Sequence, residues 1–274
     1  MFNSNPASQA DNVPPSIGSI GTVVTASAQP LLQATRAPSQ RQHLGFPDLR
    51  EMTNAMRMAR HLGRPLNRHL TVWWRHSRGF DPSARAWIEH QGRYLKALMA
   101  WLLHRGVPSH YIAVREWGDV KQAHSHILLH VPANLAEAFN DFAVQAGNFE
   151  GCPDGIDNRP VVMSGGWPWE DTGAETPAQQ AGLIRYSAKD ISPKHRVGGV
   201  LVAQALGITP QHNTRIIEGK RLSVHRNIGK AARQEAGFPD LSTLAEVRAA
   251  LPTGEDAKRE RRQKARVNRE DAHA

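Results

Sequence analysis

Two short apolar and aromatic runs, separated by only six residues, constrain the fold of this chain more than any other feature. The first run is "SHYIAVREW" (109–117), the second is "HSHILLHVP" (124–132), and "GDVKQA" lies between them. Both runs are rich in residues that favour β-strands, and so short a linker joins antiparallel neighbours. The sequence therefore predicts a β-hairpin around which the rest of the fold must pack.

The segments on either side of this hairpin predict further helices and strands. Helices are predicted at 48–62, 82–106, 133–147, 177–191 and 228–236, and strands at 68–74 and 159–164. An antiparallel sheet with its helices packed mainly on one face satisfies this order, so the predicted fold class is α+β. The other sheet face is then left for another segment or for a functional site.

Composition divides the chain into three parts. Residues 1–46 are rich in Ser, Ala, Gln and Pro and contain no Lys, which predicts a disordered tail. Residues 47–192 form the predicted central domain. Residues 193–274 are predicted to be a basic, helical extension ending in "EDAKRERRQKARVNREDAHA", which either stays solvated or contacts DNA phosphates.

The balance of charge bears on the partner rather than on the fold. The net charge is +9 at pH 7 and the pI is ≈ 10.2, which favours nucleic acid or an anionic membrane surface. No apolar run approaches the length of about 20 residues that spans a bilayer, and the first residues do not resemble a signal peptide. The single cysteine, Cys152, excludes an internal disulfide and a cysteine-based metal site. We therefore expect a cytoplasmic protein without a membrane partner.

Histidines alternate along the second strand of the hairpin. His124 and His126 lie on one strand face, about 7 Å apart at Cα, and can bind one ion between them. His130 lies about 13 Å beyond His126 and is a poor third ligand. Glu116, just before the linker, is expected to pair close to His124. Two imidazoles and one carboxylate form a divalent-metal site with open positions, whereas a His-x-His alone is also found on half-exposed strands without metal.

The placement of Glu116 requires one further assumption. Strict alternation along the strand puts Glu116 on the same face as Ile112 and Val114, which are expected to face the core. A β-bulge near Trp117 or Gly118 would turn its side chain toward the histidines. Alternation along the strand does not by itself decide between these two placements of Glu116.

Tyr186 and Lys189 are the second candidate pair. They are three residues apart in "LIRYSAKDI", so both project from one side of a helix. Tyr186 lies off the apolar stripe of this helix, although an ordinary amphipathic tyrosine would look the same. A phenol is a poor nucleophile at neutral pH, but a divalent metal can polarise a phosphate and a lysine can stabilise the charge that develops. The combination favours phosphodiester transfer.

In their order along the chain, three motifs resemble the HUH endonucleases, in particular the single-tyrosine rolling-circle replication initiators of plasmids, phages and small DNA viruses. "HLTVWW" (69–74) is similar to their first strand motif. "HSHILLHVP", with Glu116 upstream, is similar to their His-hydrophobic-His motif, and "YSAK" (186–189) is similar to their Tyr-x-x-Lys motif. The resemblance covers residues 66–192 and departs at Ser125, where the family has an apolar residue.

The resemblance implies a ferredoxin- or RRM-like antiparallel sheet and a defined chemistry. Tyr186 would attack a DNA phosphate with the help of Lys189, leaving a 5′-phosphotyrosine and a free 3′-OH that primes replication. His124, His126 and Glu116 would bind Mg²⁺ or Mn²⁺. The partners would be single-stranded or hairpin DNA at a replication origin, a host polymerase and a host helicase, since the sequence contains no phosphate-binding G-x-x-x-x-G-K-[ST] motif.

Basic and aromatic residues around these motifs are the predicted DNA contacts. They are Arg64, Arg68, Trp167, Trp169, Arg185, Lys220 and Arg221. A non-catalytic DNA-binding protein would use the same basic residues, and a relaxase or a transposase would use the same chemistry. A 2H phosphoesterase would need two His-x-[Ser/Thr] motifs on paired strands, and the only candidates are "HLT" (69–71) and "HNT" (212–214), which lies in polar sequence without a strand pattern.

Overall fold

The computed structural model describes residues 40–41, 43–108, 110–118, 122–149, 161–163, 177–211 and 217–252. Most of the predicted tail, Trp167, Trp169, the "HNT" motif and the charged C-terminal run lie outside these residues. The described end of the tail is folded, because Leu44 is buried and its N–H donates to the carbonyl of Asp190 at 3.2 Å. The prediction of disorder over 1–46 is therefore wrong for residues 40–41 and 43–46.

The described residues form nine strands and seven α-helices. The strands are β1 (Gln40–Arg41), β2 (Arg68–Trp73), β3 (Tyr111–Gly118), β4 (Gln122–Leu129), β5 (Val161–Met163), β6 (Arg196–Val197), β7 (Val200–Leu201), β8 (Ile217–Glu218) and β9 (Leu222–Val224). The helices are α1 (Phe46–His61), α2 (Ala84–Leu103), α3 (Ala136–Ala146), α4 (Pro177–Ser187), α5 (Val202–Ala205), α6 (Lys230–Glu235) and α7 (Leu244–Ala250). The α+β class and the predicted hairpin of β3 and β4 are confirmed.

Five of these strands form the central antiparallel sheet, in the order β5-β2-β4-β3-β9. The hairpin strands are the longest of the five, with eight residues each. Strand β4 lies at the centre, between β2 and β3. This position places its side chains where both neighbouring strands can contact them.

Helices cover both faces of this sheet, so the prediction that they pack mainly on one face is wrong. On one face, Ile127 and Leu129 pack in the same apolar cluster as α2 and α3. On the other, Ile112, Val114 and Leu128 pack in a second cluster with α1, α4 and the helices that follow. The reason is that both faces of β3 and β4 carry buried apolar residues. The histidines of β4 interrupt the apolar pattern of one face, so the sequence did not predict that this face is covered.

The described residues after 192 belong to the same compact unit as the sheet. Strand β9 pairs with β3, and the buried Arg233 of α6 binds Glu51 of α1 at 2.6 Å and Asp240 at 2.5 Å. The domain boundary predicted after residue 192 thus falls inside one unit. The described part of the predicted helical extension also contains strands, since β6 to β9 all lie within it.

Ser125, the residue between the two histidines, lies on the α2 side of β4. Its Oγ accepts a hydrogen bond from Trp74 Nε1 at 2.8 Å and donates one to Gln91 Oε1 at 2.8 Å, and all three residues are buried. The hydroxyl therefore satisfies two buried polar groups on this side of the sheet.

We predict that Ser125→Ala lowers the free energy of unfolding by about 1–3 kcal/mol, because the Trp74 and Gln91 groups would stay buried without a partner. Urea denaturation measures this loss. Ser83→Ala is the matched control, since the hydroxyl of Ser83 makes an exposed hydrogen bond to Asp81. Equal losses in the two variants would contradict the role assigned to Ser125.

His110, which precedes β3, predicts a dependence of stability on pH. It is buried, its Nε2 lies 3.5 Å from Arg64 Nη1, and burial followed by the charge of Arg64 lowers its pKa to about 4. Between pH 6.5 and 4 the unfolded chain takes up a proton at this side chain and the folded chain does not. The stability that the neutral, buried His110 contributes is therefore fully present above pH 6.5 and is lost as the pH falls toward 4.

We expect His110→Gln to flatten this dependence by about 1–2 kcal/mol between pH 7 and 4.5. The free energy of unfolding measured by urea at several pH values tests this expectation. His104→Gln is the control, because His104 is exposed. A slope in His110→Gln as steep as in the wild type would contradict the assignment.

Candidate metal centre and nucleophile

Three potential metal ligands converge on the sheet face that α4 covers. Glu116 Oε2 lies 3.3 Å from His124 Nε2 and 3.3 Å from His126 Nε2. The ligand atoms of all three residues lie within 4.8 Å of one another and all three side chains are buried. In the part of the chain that the structure describes, this is the one group of this kind that can hold a metal ion. The predicted ligand set is therefore brought together.

Glu116 reaches the histidines without a bulge. Its position opposes His124, Val114 opposes His126 and Ile112 opposes Leu128, in an unbroken antiparallel ladder. Directly opposed residues of an antiparallel pair share a face, so Glu116 faces the histidines because it alternates with Ile112 and Val114. The bulge considered near Trp117 or Gly118 is absent from this ladder. One sheet face is apolar at one end and carries the metal ligands at the other.

The hydrogen bond of His124 occupies Nδ1 and leaves Nε2 available to a metal ion. Its Nδ1 lies 2.8 Å from the carbonyl oxygen of Gln122. Because a carbonyl only accepts, Nδ1 carries the hydrogen and Nε2 keeps its lone pair toward Glu116. Gln122, at the start of β4, adopts a left-handed backbone conformation with φ 51°.

His126 is oriented in the same way by the neighbouring strand β2. Its Nδ1 lies 3.1 Å from His69 Nε2 and 3.1 Å from Thr71 Oγ1. Its Nε2 lies 2.5 Å from Lys189 Nζ, and an ammonium can only donate, so this nitrogen also carries a lone pair. Burial, together with the charge of Lys189, lowers the pKa of His126 to about 3 despite the opposing effect of Glu116. The imidazole is therefore neutral at physiological pH, as a metal ligand must be.

Glu116 completes a donor set that fits a divalent ion. Burial raises the pKa of its carboxyl, but the positive charge of Lys189 beside it is among the effects that hold this pKa well below the usual range. Its second oxygen, Oε1, is buried and has no hydrogen-bond partner among the described residues. One carboxylate and two neutral imidazoles, each with its remote nitrogen held in place, are a typical ligand set for such an ion.

Sequence reasoning missed the contribution of His69. It was considered only within the first strand motif and a His-x-Thr motif, whereas its ring lies 5.1 Å from that of His126 and 5.3 Å from that of Tyr186. The available signal was its alternation with Thr71 on a strand that had to pair with the histidine strand. The pairing partner of β2 was not predicted, so this signal could not be used.

Tyr186 and Lys189 lie over the ligand group. Tyr186, near the end of α4, is 42% exposed, and its ring centroid lies 5.0 Å from that of His126. Lys189 Nζ lies 4.3 Å from the Tyr186 ring centroid and 2.7 Å from Glu116 Oε2. The opposite side of this segment is anchored in the core by its buried apolar stripe, Ala181, Ile184, Ala188 and Ile191. The structure thus brings together the predicted nucleophile, lysine and metal ligands.

The phenol of Tyr186 is not activated by its surroundings. Partial burial and then the negative charge of Glu116 raise its pKa above the usual value near 10. The hydroxyl therefore stays protonated at neutral pH. Additional positive charge close to Glu116 would reduce the second of these two effects.

The predicted DNA-contacting residues are placed very differently. Lys220 is exposed, and Arg64 is half-buried beside His110. Arg185 is half-buried and donates hydrogen bonds to the carbonyls of Leu206 at 2.8 Å and Pro252 at 2.6 Å. The guanidinium of Arg185, which was predicted to bind a DNA phosphate, therefore links α4 to two backbone segments that follow it.

Two of the predicted DNA contacts are corrected by their burial. Arg221 is buried, forms an ion pair with Asp190 and donates to the carbonyl of Arg115 at 3.2 Å. Arg68 is buried on the α2 side of β2, directly opposite Leu129. Neither guanidinium lies on the surface, because a charge count does not distinguish arginines that bind carboxylates and carbonyls inside the protein from those that face solvent.

No family model, curated protein or solved structure matches this chain. In the described segments, no helix has both the length and the apolar character required to cross a membrane. The functional interpretation therefore depends on the geometry of the Glu116–His124–His126 group and of the two residues above it.

Proposed function

We propose that this protein is a metal-dependent endonuclease of the HUH type, which nicks single-stranded DNA through a 5′-phosphotyrosine intermediate. The observation that carries the proposal is the placement of Tyr186 and Lys189 directly over a buried Glu-His-His group. A partly exposed tyrosine beside a divalent-metal site is what phosphodiester transfer to a phenol requires.

The topology of the central sheet supports the same proposal. Elements β2, α2, β3, β4, α3 and β5 follow one another as strand, helix, strand, strand, helix, strand, and the sheet order is β5-β2-β4-β3. This is the order of a ferredoxin-like βαββαβ unit. In the proposed fold, α2 and α3 cover the back of this unit, while β9 and the remaining helices are additions around the site face.

The proposed reaction is a transesterification. The Tyr186 oxygen attacks the phosphorus of a phosphodiester, the bond from phosphorus to O3′ breaks, the phenol loses its proton and the leaving O3′ gains one. The products are a 5′-phosphotyrosine and a free 3′-OH, and no co-reactant is consumed. Mg²⁺ or Mn²⁺, when held by Glu116, His124 and His126, would polarise the non-bridging oxygens of the phosphate. Lys189 is close enough to the phenol to stabilise the negative charge that develops there.

The biological role that follows is initiation of rolling-circle replication of a plasmid or phage. The partners would be single-stranded or hairpin DNA at an origin, a host helicase and a host polymerase. A relaxase or a transposase would perform the same chemistry on different DNA, so this part of the proposal depends on the resemblance of the motifs.

A cleavage assay tests the proposal. The full chain is incubated with single-stranded oligonucleotides covering the DNA next to its own gene, with Mn²⁺ or with EDTA, and the products are separated on a denaturing gel. A 3′-terminal label should move with the protein and a 5′-terminal label should appear in a shorter oligonucleotide, only with Mn²⁺. Salt-sensitive binding of the oligonucleotides without any adduct would instead indicate the non-catalytic DNA-binding protein.

A further inference from the structure

We infer that Lys189 is the internal counter-cation of the metal-free site, and that a divalent ion binds by displacing its ammonium from Glu116 and His126. This inference rests on the metal site of the proposed function and adds an exchange of cations to it. The ammonium lies 2.7 Å from Glu116 Oε2 and 2.5 Å from His126 Nε2. These are two of the three atoms that would bind the metal.

The first argument concerns the atoms that the lysine occupies. Glu116 Oε2 and His126 Nε2 direct their lone pairs at Lys189 Nζ, as they would direct them at a metal ion. An ammonium has no lone pair, so Lys189 Nζ cannot itself act as a metal ligand. Lys189 and a divalent ion therefore compete for the same donor atoms.

The second argument concerns charge. The side chain of Glu116 is 5% exposed and that of Lys189 is 10% exposed, so the carboxylate needs a cation beside it at all times. A divalent ion satisfies this need, after which the ammonium would be a second cation within a few ångströms of the first. At this separation and degree of burial, like charges repel strongly.

The third argument is that the displaced lysine has a place to go. Its ammonium is already 4.3 Å from the ring centroid of Tyr186, whose side chain is partly exposed. The flexible four-carbon side chain of a lysine can follow such a path without movement of the backbone. Metal binding would thus transfer the positive charge of Lys189 from the ligand group to the nucleophile and the phosphate that it attacks.

The affinity for Mn²⁺ alone, without DNA, tests the inference. Isothermal titration calorimetry is performed on the full-length wild type, on Lys189→Met and on Lys194→Met, an exposed lysine five residues away. Removing the competing cation should tighten Mn²⁺ binding by Lys189→Met on the order of tenfold, although this variant loses activity. Lys194→Met should bind Mn²⁺ as the wild type does. A Lys189→Met variant that binds Mn²⁺ no more tightly than the wild type would overturn the inference.

Thermal unfolding gives an independent readout and a control for folding. Without metal, Lys189→Met should unfold at a lower temperature than the wild type, because Glu116 has lost its counter-cation. Added Mn²⁺ should raise the Tm of this variant more than that of the wild type. Lys189→Gln, which keeps a polar side chain without the charge, should show the same difference if Lys189→Met does not fold. An equal Mn²⁺-induced rise in the wild type and the folded variant would also overturn the inference.

The two proposals fail in different ways. If neither the wild type nor the Lys189 variants bind Mn²⁺, the metal centre itself is wrong and the cation exchange is wrong with it. If the wild type binds Mn²⁺ and forms the DNA adduct but the variants bind Mn²⁺ no more tightly, only the cation exchange is wrong.

Discussion

Tyr186→Phe should abolish the covalent DNA–protein adduct and reduce metal-dependent strand cleavage by at least about 10³-fold. The substitution removes only the hydroxyl, so the ring keeps its contacts with His69 and His126. Affinity for Mn²⁺ and thermal stability should stay as in the wild type, because no metal ligand changes. The adduct is measured on a denaturing gel with a 3′-labelled oligonucleotide, and cleavage with a 5′-labelled one.

Tyr111→Phe is the matched control for this prediction. Tyr111 is also a partly buried tyrosine, but it opposes Leu129 at the far end of the hairpin, five positions from Glu116. That separation is about 17 Å along the strand, so its hydroxyl cannot reach a phosphate at the metal centre. Adduct formation by Tyr186→Phe at the wild-type rate would mean that a different side chain is the nucleophile.

Glu116→Gln should weaken Mn²⁺ binding by at least about 100-fold, since even residues that only orient a metal ligand are worth 10–100-fold in affinity. The amide keeps the size of the side chain and removes its charge. Lys189 then remains buried without its carboxylate partner, so the metal-free variant should also be less stable. Calorimetry with Mn²⁺ and urea denaturation measure the two effects separately.

The same variant should lower the pKa of Tyr186, because the charge of Glu116 is one of the two causes that raise it. Ultraviolet titration of the tyrosines detects this change when Tyr186→Phe is titrated beside it for assignment. Glu89→Gln is the control, since Glu89 is exposed and pairs with Arg85 on α2. Wild-type Mn²⁺ affinity in Glu116→Gln would show that the carboxylate is not a ligand.

Local spacing explains why much of the site could be predicted from the sequence. A six-residue linker between two strand-forming runs leaves few registers, and the observed register places Glu116 opposite His124. The separation of Tyr186 and Lys189 by three residues similarly predicted that they lie on one side of the segment, although α4 ends at Ser187 and Lys189 lies in the turn that follows. Both relationships depend on neighbours in the chain, which a single sequence records.

The features that could not be predicted depend on partners far apart in the chain. The contact between His69 and His126 requires β2 to lie beside β4, and strand β9 has only three residues, too few for a recognisable pattern. The burial of Arg221 depends on the position of Asp190 in the folded protein. The burial of the second sheet face was also not predicted, because the polar histidines of β4 are typical of a face exposed to solvent.

The turn that carries Lys189 is held by one residue before and one residue after the predicted central domain, Leu44 and Arg221. The carbonyl of Asp190 accepts a hydrogen bond from the N–H of Leu44, and its carboxylate binds Arg221. A fragment containing only residues 47–192 would include every proposed metal ligand and the proposed nucleophile, but neither Leu44 nor Arg221. The groups of the proposed site and the contacts that hold the turn of Lys189 are therefore encoded in separate stretches of the chain, and moving residues 47–192 alone into another protein would carry over the first without the second.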